Sequence, residues 1–410
     1  MMTPRDLRRA LVGSLQATLA ALDPARIVHD ALPNAPDNTG RVVVIAAGKA
    51  AAAMATGAFA RWPDRIDTAL VVTVAPHASA STIDAGGRAV VRAAAHPIPD
   101  ARSVAAAEEA LALAAELGPD DLLLTLISGG ASALLACPPA GMTLLEKQAV
   151  VAALLDRGVP IRAVNLVRRH LSRIKGGRLA QRAAPAKTMT LIASDVIDGE
   201  MHDIGSGPTV PDPTTIADAR SILETAAIPL PRWLDESLKP SDPVPPPSAR
   251  IIVDPARFGR ALADELTRRG LRAITDRPDE GDALAVVERR LARAADLAPG
   301  EAIVIPCEPT ITLPAQRGHG GRAGFIALAA MRRLPPDVAL LCAASDGIDG
   351  SSGAAGAIVM RDDATRADQA LIDTALAAYD DASAHRALGT RLAGGPTGHN
   401  LADVHVLARR

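Results

Sequence analysis

The sequence predicts an α/β protein of two domains, in which parallel or mixed sheets are covered by helices. Short apolar runs of strand length alternate with helical patterns rich in Ala, Leu and Arg along the chain. The chain has 410 residues, which is long for one hydrophobic core, and 48% of them are hydrophobic. A proline-rich stretch interrupts the alternation at 229–247.

Each predicted strand is an apolar run of about strand length. The N-terminal half contains RVVVIAA (41–47), TALVVTV (68–74), AVVRAA (89–94), DLLLTLI (121–127) and TMTLIAS (188–194). The C-terminal half contains RIIVD (250–254), LRAIT (271–275), AIVIP (302–306), VALLCAA (338–344) and LADVHVLA (401–408). Ligands of such sheets bind beyond the carboxyl ends of the strands, so the residues that follow each strand are the candidates for a site.

The best domain boundary is the segment PLPRWLDESLKPSDPVPPP (229–247), because its seven prolines sustain neither helix nor sheet. It predicts an N-terminal domain at 1–235, a linker at 236–248 and a smaller C-terminal domain at 249–410.

The composition excludes several classes of protein. A net charge of −2 and the lack of a basic patch interleaved with aromatic residues predict no binding to nucleic acid. No apolar stretch is long enough to span a bilayer, and the N-terminus has the pattern of an amphipathic helix rather than a signal peptide. Three widely spaced cysteines form no metal-ligand pattern and suit a reducing compartment. These features predict a cytoplasmic enzyme or binding protein.

Gly48-Lys49 is the first candidate for a site. It stands where the strand 41–47 turns into a helix, so backbone N–H groups and an ammonium group can meet an anion there. The pattern is neither a Walker A loop nor a GxGxxG fingerprint. A surface lysine is the alternative, although its charge has the unfavourable sign for a helix start.

The next candidate is the loop Ser128-Gly129-Gly130-Ala131-Ser132, which follows a buried strand. Two glycines and two serines can arrange N–H donors around a phosphate, and a tight turn with serine caps is the alternative. A Ser128 nucleophile is disfavoured because no GxSxG elbow is present.

The basic run NLVRRHLSRIKGGRLA (165–180) brings Arg173 and Lys175 before two glycines. Most runs of this kind are solvated helix faces. Its short length and its Gly-Gly ending also suit a clamp for phosphate or carboxylate.

Carboxylates follow strands in two similar segments, SDVIDG (194–199) and SDGIDG (345–350). Asp195, Asp346 and Asp349 are candidates to hold Mg²⁺ with phosphate oxygens, and turn or helix caps are the alternative. Glu308 follows another strand, and Arg322 stands between a glycine loop and a helix, where its planar group suits carboxylate or phosphate.

Several stretches resemble one family, the type II glycerate kinases (glycerate 2-kinases), whose C-terminal module is called MOFRL. They run in family order and cover most of residues 5–225 and 300–405: AAGKAAAAMA, HPIPD (96–100), ISGGASALLACPPAGMTLLEKQ, NLVRRHLSRIKGGRLA, SDVIDGEMHDIGSGPTVPDPTT, SDGIDGSSGAAGAIV and GGPTGHNLADV. The resemblance implies a Rossmann-like N-terminal domain and a smaller α/β C-terminal domain, with the active site in the cleft between them. It also implies phosphorylation of D-glycerate at its 2-hydroxyl with ATP and Mg²⁺.

Together, the residues and the resemblance assign roles. Catalytic roles fall to Lys49, Asp195, Arg322, Asp346 and Asp349, and nucleotide binding to Ser128, Gly129, Gly130, Ser132, Arg173 and Lys175. Metal binding falls to Asp195, Asp349 and Glu308. The oligomeric state is not fixed by the sequence, and a homo-oligomer is compatible with it.

The chain departs from the family pattern in its C-terminal half. The family's GGRNQEFAL is GGRAGFIAL here, its GGETTV-like stretch is PCEPTIT, and its NDSY segment is DASA (381–384). The lost polar side chains predict looser selection among sugar acids. A kinase for a related sugar acid, an NAD(P)H-dependent hydroxypyruvate reductase and a non-catalytic phosphosugar-binding regulator are the alternatives. The reductase is disfavoured because no GxGxxG follows any strand.

Overall fold

The structure is a computed structural model that describes residues 2–75, 83, 85–242, 248–365 and 369–410. Its contacts divide the chain into two compact units. One unit consists of Pro24–Ile252, and the other combines Met1–Asp23 with Val253–Arg410.

The first unit is built on a sheet that has the spatial order β3-β2-β1-β4-β5-β6 in the described part of the chain. Its strands are β1 (Val42–Ala47), β2 (Thr68–Val74), β3 (Ala89–Ala94), β4 (Leu122–Ser128), β5 (Lys187–Ala193) and β6 (Ser248–Val253). Every residue of β1 and β4 is buried, as expected for central strands covered on both faces. Adjacent strands in the series β3-β2-β1-β4-β5 are parallel to each other. Because β1 pairs with both β2 and β4, the strand order reverses there, and a crevice for ligands forms at that position in folds of this kind.

Helices cover this sheet and supply small apolar side chains to its core, which is rich in Ala, Leu, Ile and Val. The helices of this unit are Pro24–Ala31, Ala51–Arg61, Ala101–Ala115, Ala131–Leu134, Leu144–Asp156, Ile161–His170, Arg178–Ala183 and Ile216–Thr225, with a 3₁₀ turn at Ile204–Ser206. Three of them, Leu144–Asp156, Ile161–His170 and Ile216–Thr225, pack together in a separate apolar cluster.

The second unit contains a mixed sheet with the order β12-β11-β10-β13-β9-β7, and β8 also pairs with β9. Its strands are β7 (Arg272–Thr275), β8 (Asp279–Asp282), β9 (Glu301–Thr310), β10 (Val338–Ala344), β11 (Ala354–Met360), β12 (Arg391–Ala393) and β13 (Asp403–Arg409). Neighbours from β12 to β9 are antiparallel, whereas β7 and β8 run parallel to β9. The helices of this unit are Pro4–Ala21, Pro255–Arg268, Ala283–Asp296, Arg322–Met331, Arg361–Ala364, Gln369–Ala377 and Asp381–Leu388.

The α/β prediction is confirmed, and all ten predicted strands are present with small shifts at their ends. Three strands, β8, β11 and β12, are not among the predicted ones. The residues of β8 are Asp-Glu-Gly-Asp, which have low strand propensity, and β12 has only three residues. β11 begins within the glycine-rich stretch SSGAAG, which resembles a loop.

The compact units differ from the predicted domain limits in two places. The helix Pro4–Ala21 belongs with the C-terminal elements, and β6 completes the first sheet. The predicted linker lies partly outside the described residues, at 243–247. Its described part is bonded into the first unit, because the amide of Leu238 donates to the Gly176 carbonyl at 2.9 Å.

Among the described residues, every helix is too short or too polar to span a bilayer.

Candidate active site

The turns after β1 and β4 are tied together at the point where the strand order reverses. The Lys49 amide donates to the Gly129 carbonyl at 2.9 Å, and the Ala50 amide donates to Ser128 Oγ at 3.0 Å. Gly48 has φ +132°, and a Cβ there would lie 2.0 Å from Ser128 Oγ. Only glycine permits this approach, so Gly48 is what brings Lys49 to the Ser128 loop.

The space beside Gly130 is bordered by Lys49 and His96. Gly130 has φ +88°, and a Cβ at that position would lie 3.2 Å from His96 Cδ2 and 3.7 Å from Lys49 Cγ. Burial, with the nearby Lys49 ammonium, lowers the pKa of His96, so this imidazole is neutral at pH 7. His96 begins the HPIPD stretch but is not among the predicted site residues.

Ser132 connects this turn to a second loop. Its hydroxyl lies 2.9 Å from the hydroxyl of buried Ser206, in the stretch SGPTVPDPTT. Ser206 has φ +62° and therefore sits in a tight loop. Ser206 is not among the predicted site residues, because nothing local in the sequence shows that it contacts Ser132.

Lys175 is hydrogen-bonded to the backbone at and just after the Ser128 loop. Its ammonium donates to the carbonyls of Ser132 at 2.6 Å and Leu135 at 3.1 Å. Burial lowers the pKa of Lys175 well below its ordinary value. The glycines after it have a packing role, because a Cβ on Gly176 would lie 2.8 Å from the Ser237 side chain.

Arg173 has other partners. Its Nε donates to the Pro138 carbonyl at 3.0 Å, and its Nη2 pairs with Glu108 at 3.0 Å. A carboxylate therefore already balances the charge of this arginine.

Asp195 lies at the same edge of the sheet as the Ser128 loop. Ala193, at the end of β5, is the register partner of Ser128, and Asp195 follows two residues later. Its side chain is half-buried. The hydroxyl of Ser194 accepts the Val196 amide at 3.1 Å, which forms the turn that presents Asp195.

In the second unit, Arg322 is fixed by carboxylates from two neighbouring strands. It pairs with Glu308 on β9, and its Nε lies 2.9 Å from Asp403 Oδ2 on β13. Burial acts to lower the pKa of Arg322, but these two carboxylates outweigh burial and raise it. The guanidinium is therefore always charged and its orientation is fixed.

Asp349 and Asp381 lie at the start of the helix Arg322–Met331. The two oxygens of Asp349 accept the amides of Ala323 at 3.1 Å and Gly324 at 2.8 Å. Asp381 accepts the Gly321 amide at 3.2 Å. A Cβ on Gly324 would lie 2.2 Å from Asp381 Oδ2 and 3.3 Å from Asp349 Oδ2, so both carboxylates border the same small volume.

The proximity of these carboxylates changes their proton affinity. Burial raises the pKa of Asp349, although the helix amides oppose it. Burial and neighbouring Asp349 raise the pKa of Asp381 to about 8. Asp346 is half-buried, and its Oδ1 accepts the Ile348 amide at 3.0 Å.

The residues predicted to bind metal differ in how well they fit Mg²⁺. Within the part of the chain that the structure describes, no group of three His, Cys, Asp or Glu could hold an ion. Asp349 is engaged by helix amides and Glu308 by Arg322, so we do not assign these two to metal. A Mg²⁺ ion that arrives with nucleotide phosphates needs only one or two carboxylates. The half-buried Asp195 fits that requirement.

Comparisons with known proteins show what the chain as a whole is similar to. The model described as "Domain of unknown function (DUF4147)" matches residues 10–239, and the model described as "MOFRL family" matches residues 301–403. An Agrobacterium vitis protein named "Putative hydroxypyruvate reductase" is 38% identical, over 98% of this chain and 94% of its own. The D-glycerate 2-kinase of Thermotoga maritima is 31% identical, over 98% of this chain and 99% of its own. A crystal structure of glycerate kinase from Thermotoga maritima superposes with a TM-score of 0.88 and 30% identity, covering 99% of this chain and 100% of that one.

Proposed function

The chain belongs to the family of glycerate kinases that join a DUF4147 domain to a MOFRL domain, and on that premise we propose that it phosphorylates D-glycerate at the 2-hydroxyl. ATP is the donor, and the products are 2-phosphoglycerate and ADP. In the reaction, the C2 hydroxyl oxygen attacks the γ-phosphorus while the bond from that phosphorus to the β–γ bridging oxygen breaks. A carboxylate takes the hydroxyl proton.

One observation carries this proposal. The turns after β1 and β4 are joined where the strand order reverses, and they bring Lys49 and the Ser128-Gly129-Gly130 loop together. Glycines that allow a close approach, backbone amides and an ammonium group suit a phosphate better than any other common ligand.

In the first unit, we assign Lys49 to the transferred phosphoryl group, because a mobile point charge can follow it through the reaction. Ser128, Gly129, Gly130 and Ser132 are assigned to the nucleotide phosphates. Lys175 positions the Ser132 loop through its two carbonyl contacts. Arg173, paired with Glu108, is the weakest of the nucleotide-binding assignments.

Asp195 is assigned either to the proton of the attacking hydroxyl or to Mg²⁺ that enters with ATP. When bound, Mg²⁺ neutralises charge on the phosphate oxygens. The half-buried position of Asp195 at the end of β5, next to the Ser128 loop, supports both roles.

In the second unit, Arg322 is assigned to the carboxylate of the acid substrate. Its fork is oriented by Glu308 and Asp403, which suits recognition of a planar group. Asp349 holds the start of the helix that carries Arg322, so its effect on catalysis is one of positioning. Asp346, a half-buried carboxylate that follows β10, is assigned to the site that contains Arg322.

We also propose the cytoplasm as the location. It supplies ATP, and it keeps thiols such as those of the three free, buried cysteines reduced.

The name of the Agrobacterium vitis relative favours hydroxypyruvate reduction as a second candidate. The turn after β1 reads Gly48-Lys49-Ala50, which lacks the glycine spacing that a dinucleotide pyrophosphate needs.

Two assays on the same purified protein separate the candidates. ADP release is measured with ATP, Mg²⁺ and D-glycerate, and NAD(P)H oxidation is measured with hydroxypyruvate after dialysis. We expect ADP release that depends on D-glycerate, with no oxidation of NADH or NADPH. Reductase activity without ADP release would replace the proposal by the second candidate.

A further inference from the structure

A cavity of about 510 Å³ lies within the first unit, beside Ser132 of the Ser128 loop. The turn Pro97–Pro99, the helix Leu144–Asp156 and the helix that begins at Ala131 contribute to its lining. Its volume is within the range of small-molecule sites, which is roughly 300–1,000 Å³. Of its lining residues, only Ser132 and Lys175 have a role in the proposed reaction.

The inner wall of the cavity is formed by basic side chains. Lys147, Arg168 and Lys175 line it, and the described residues of its lining include no Asp or Glu. The ammonium of Lys147 donates to the Leu171 carbonyl, and Arg168 Nη1 donates to Asn165 Oδ1 at 3.1 Å. These partners are neutral, as are the two carbonyls bound to Lys175, so they would not balance a positive charge on these side chains.

Burial disfavours the charged forms of these basic side chains. Burial lowers the pKa of Lys147 to about 7 and also lowers the pKa of Arg168. A buried cation gains stability when an anion binds beside it, because Coulomb attraction is strong in a low dielectric. The wall is therefore suited to a ligand that carries negative charge.

The outer part of the cavity is apolar. Ile98 is 67% exposed and Leu155 is 47% exposed, and both line the cavity. Large apolar side chains at this level of exposure suit the flat, apolar part of a ligand. The ligand therefore has an anionic end and an apolar end.

The cavity is continuous with the phosphate site. His96 approaches Gly130, and the next residue, Pro97, lines the cavity. Ser132 is common to the proposed phosphate loop and the cavity lining. One ligand can therefore extend from the loop into the cavity.

We propose that this cavity receives the nucleoside part of the nucleotide, with the base between Ile98 and Leu155. The sugar and the inner phosphates lie near Arg168, Lys175 and Ser132, and the transferred phosphate reaches the Ser128 loop and Lys49. The inference rests on the proposed kinase function and adds the residues that select the nucleotide.

The test is a substitution whose side chain fills the outer part of the cavity. Ala152 is exposed on the helix Leu144–Asp156 and lines the cavity, so A152W places an indole where the base would bind. Ala105 is equally classed as exposed, on the helix Ala101–Ala115 and outside the lining, so A105W is the matched control. Calorimetry with ADP alone gives the nucleotide affinity without any requirement for turnover.

For A152W, we expect the Kd for ADP and the KM for ATP to rise at least ~10-fold, because the base loses its apolar contact. The KM for D-glycerate should change less than ~2-fold, and A105W should match the wild type. R168M should raise the Kd for ADP while leaving the weaker Kd for adenosine nearly unchanged, because adenosine has no phosphate to contact it.

Unchanged ADP affinity in a folded A152W protein would overturn the inference, and so would a rise confined to the KM for D-glycerate. Failure of the kinase function gives a different result. In that case, the wild type binds ADP with the expected losses in A152W and R168M but releases no ADP from ATP with D-glycerate.

Discussion

At the scale of single residues, Lys49 and Arg322 carry the same charge in different surroundings. Lys49 lies beside a glycine turn, whereas Arg322 spans Glu308 and nearly buried Asp403. We predict that K49R and R322K each lower kcat/KM by ~100-fold or more, because point charge and planar fork are not interchangeable. ADP release with D-glycerate measures both.

Stability should separate these two variants. R322K leaves Asp403 without its bidentate partner and should lower the free energy of unfolding by on the order of 2–3 kcal/mol, whereas K49R should change it little. The control is R332K, whose arginine pairs with the exposed Asp373. Full activity in R322K would contradict the assignment of Arg322.

Asp381 supplies a prediction about pH. The folded protein raises its pKa to about 8, so the folded state binds this proton more tightly than the unfolded state. Its contribution to stability is fully present below about pH 4 and is lost as the pH rises through 8. D381N removes this loss of stability. Between pH 6 and pH 9, the Tm of the wild type should therefore fall by at least ~5 °C more than the Tm of D381N. Thermal melts of the wild type, D381N and the exposed-site control D373N measure it, and parallel curves for all three would contradict it.

At the scale of elements, the turn after β4 depends on Gly130. Alanine there adopts φ +88° at a cost of roughly 1–2 kcal/mol and also meets His96. Gly158 has φ +70° with no atom within 4 Å of a Cβ, so G158A has the backbone cost alone. We predict that G130A loses at least as much stability as G158A, but that only G130A weakens ADP binding, by ~10-fold or more in calorimetry. Equal ADP affinity would reduce the Ser128 loop to a structural turn.

The strands and the phosphate turn could be predicted from sequence because their signals are local. Continuous apolar runs mark β1 and β4, and the glycines follow them directly. The roles of Lys175 and Gly176 could not be predicted in this way. Lys175 caps carbonyls some 40 positions earlier, and the space at Gly176 is taken by Ser237, which comes from the proline-rich segment.

The helix Arg322–Met331 shows the same limit. The sequence shows lost polar side chains at 323–325, but Phe325 stacks on Tyr379 at 5.3 Å between ring centroids. The volume above Gly324 is taken by Asp381 from the altered DASA segment. The two departures from the family pattern are therefore complementary, and only the tertiary contact reveals it.

At the scale of the whole molecule, the N-terminal helix Pro4–Ala21 belongs to the unit formed by the C-terminal half. Arg8 pairs with Asp363, which is 2% exposed, and donates to the Ile358 carbonyl at 2.9 Å. We predict that R8A destabilises this unit by on the order of 2 kcal/mol, because it removes the guanidinium that pairs with a buried carboxylate. R9A, whose arginine is 76% exposed, should change stability by less than ~0.5 kcal/mol. Hydrogen exchange should accelerate in β11 of R8A and not in β4, and equal acceleration in both strands would contradict this division.

The central claim is that Lys49 and the loop Ser128–Ser132 together direct phosphate transfer to the 2-hydroxyl of glycerate. Phosphorus NMR of a reaction with ATP, Mg²⁺ and D-glycerate tests it most directly, since a phosphate on C2 couples to one proton and a phosphate on C3 couples to two. We predict a new ester signal split into a doublet, formed by the wild type and absent with K49M. A triplet from the 3-phosphate, no ester at all, or an undiminished doublet from K49M would contradict the claim.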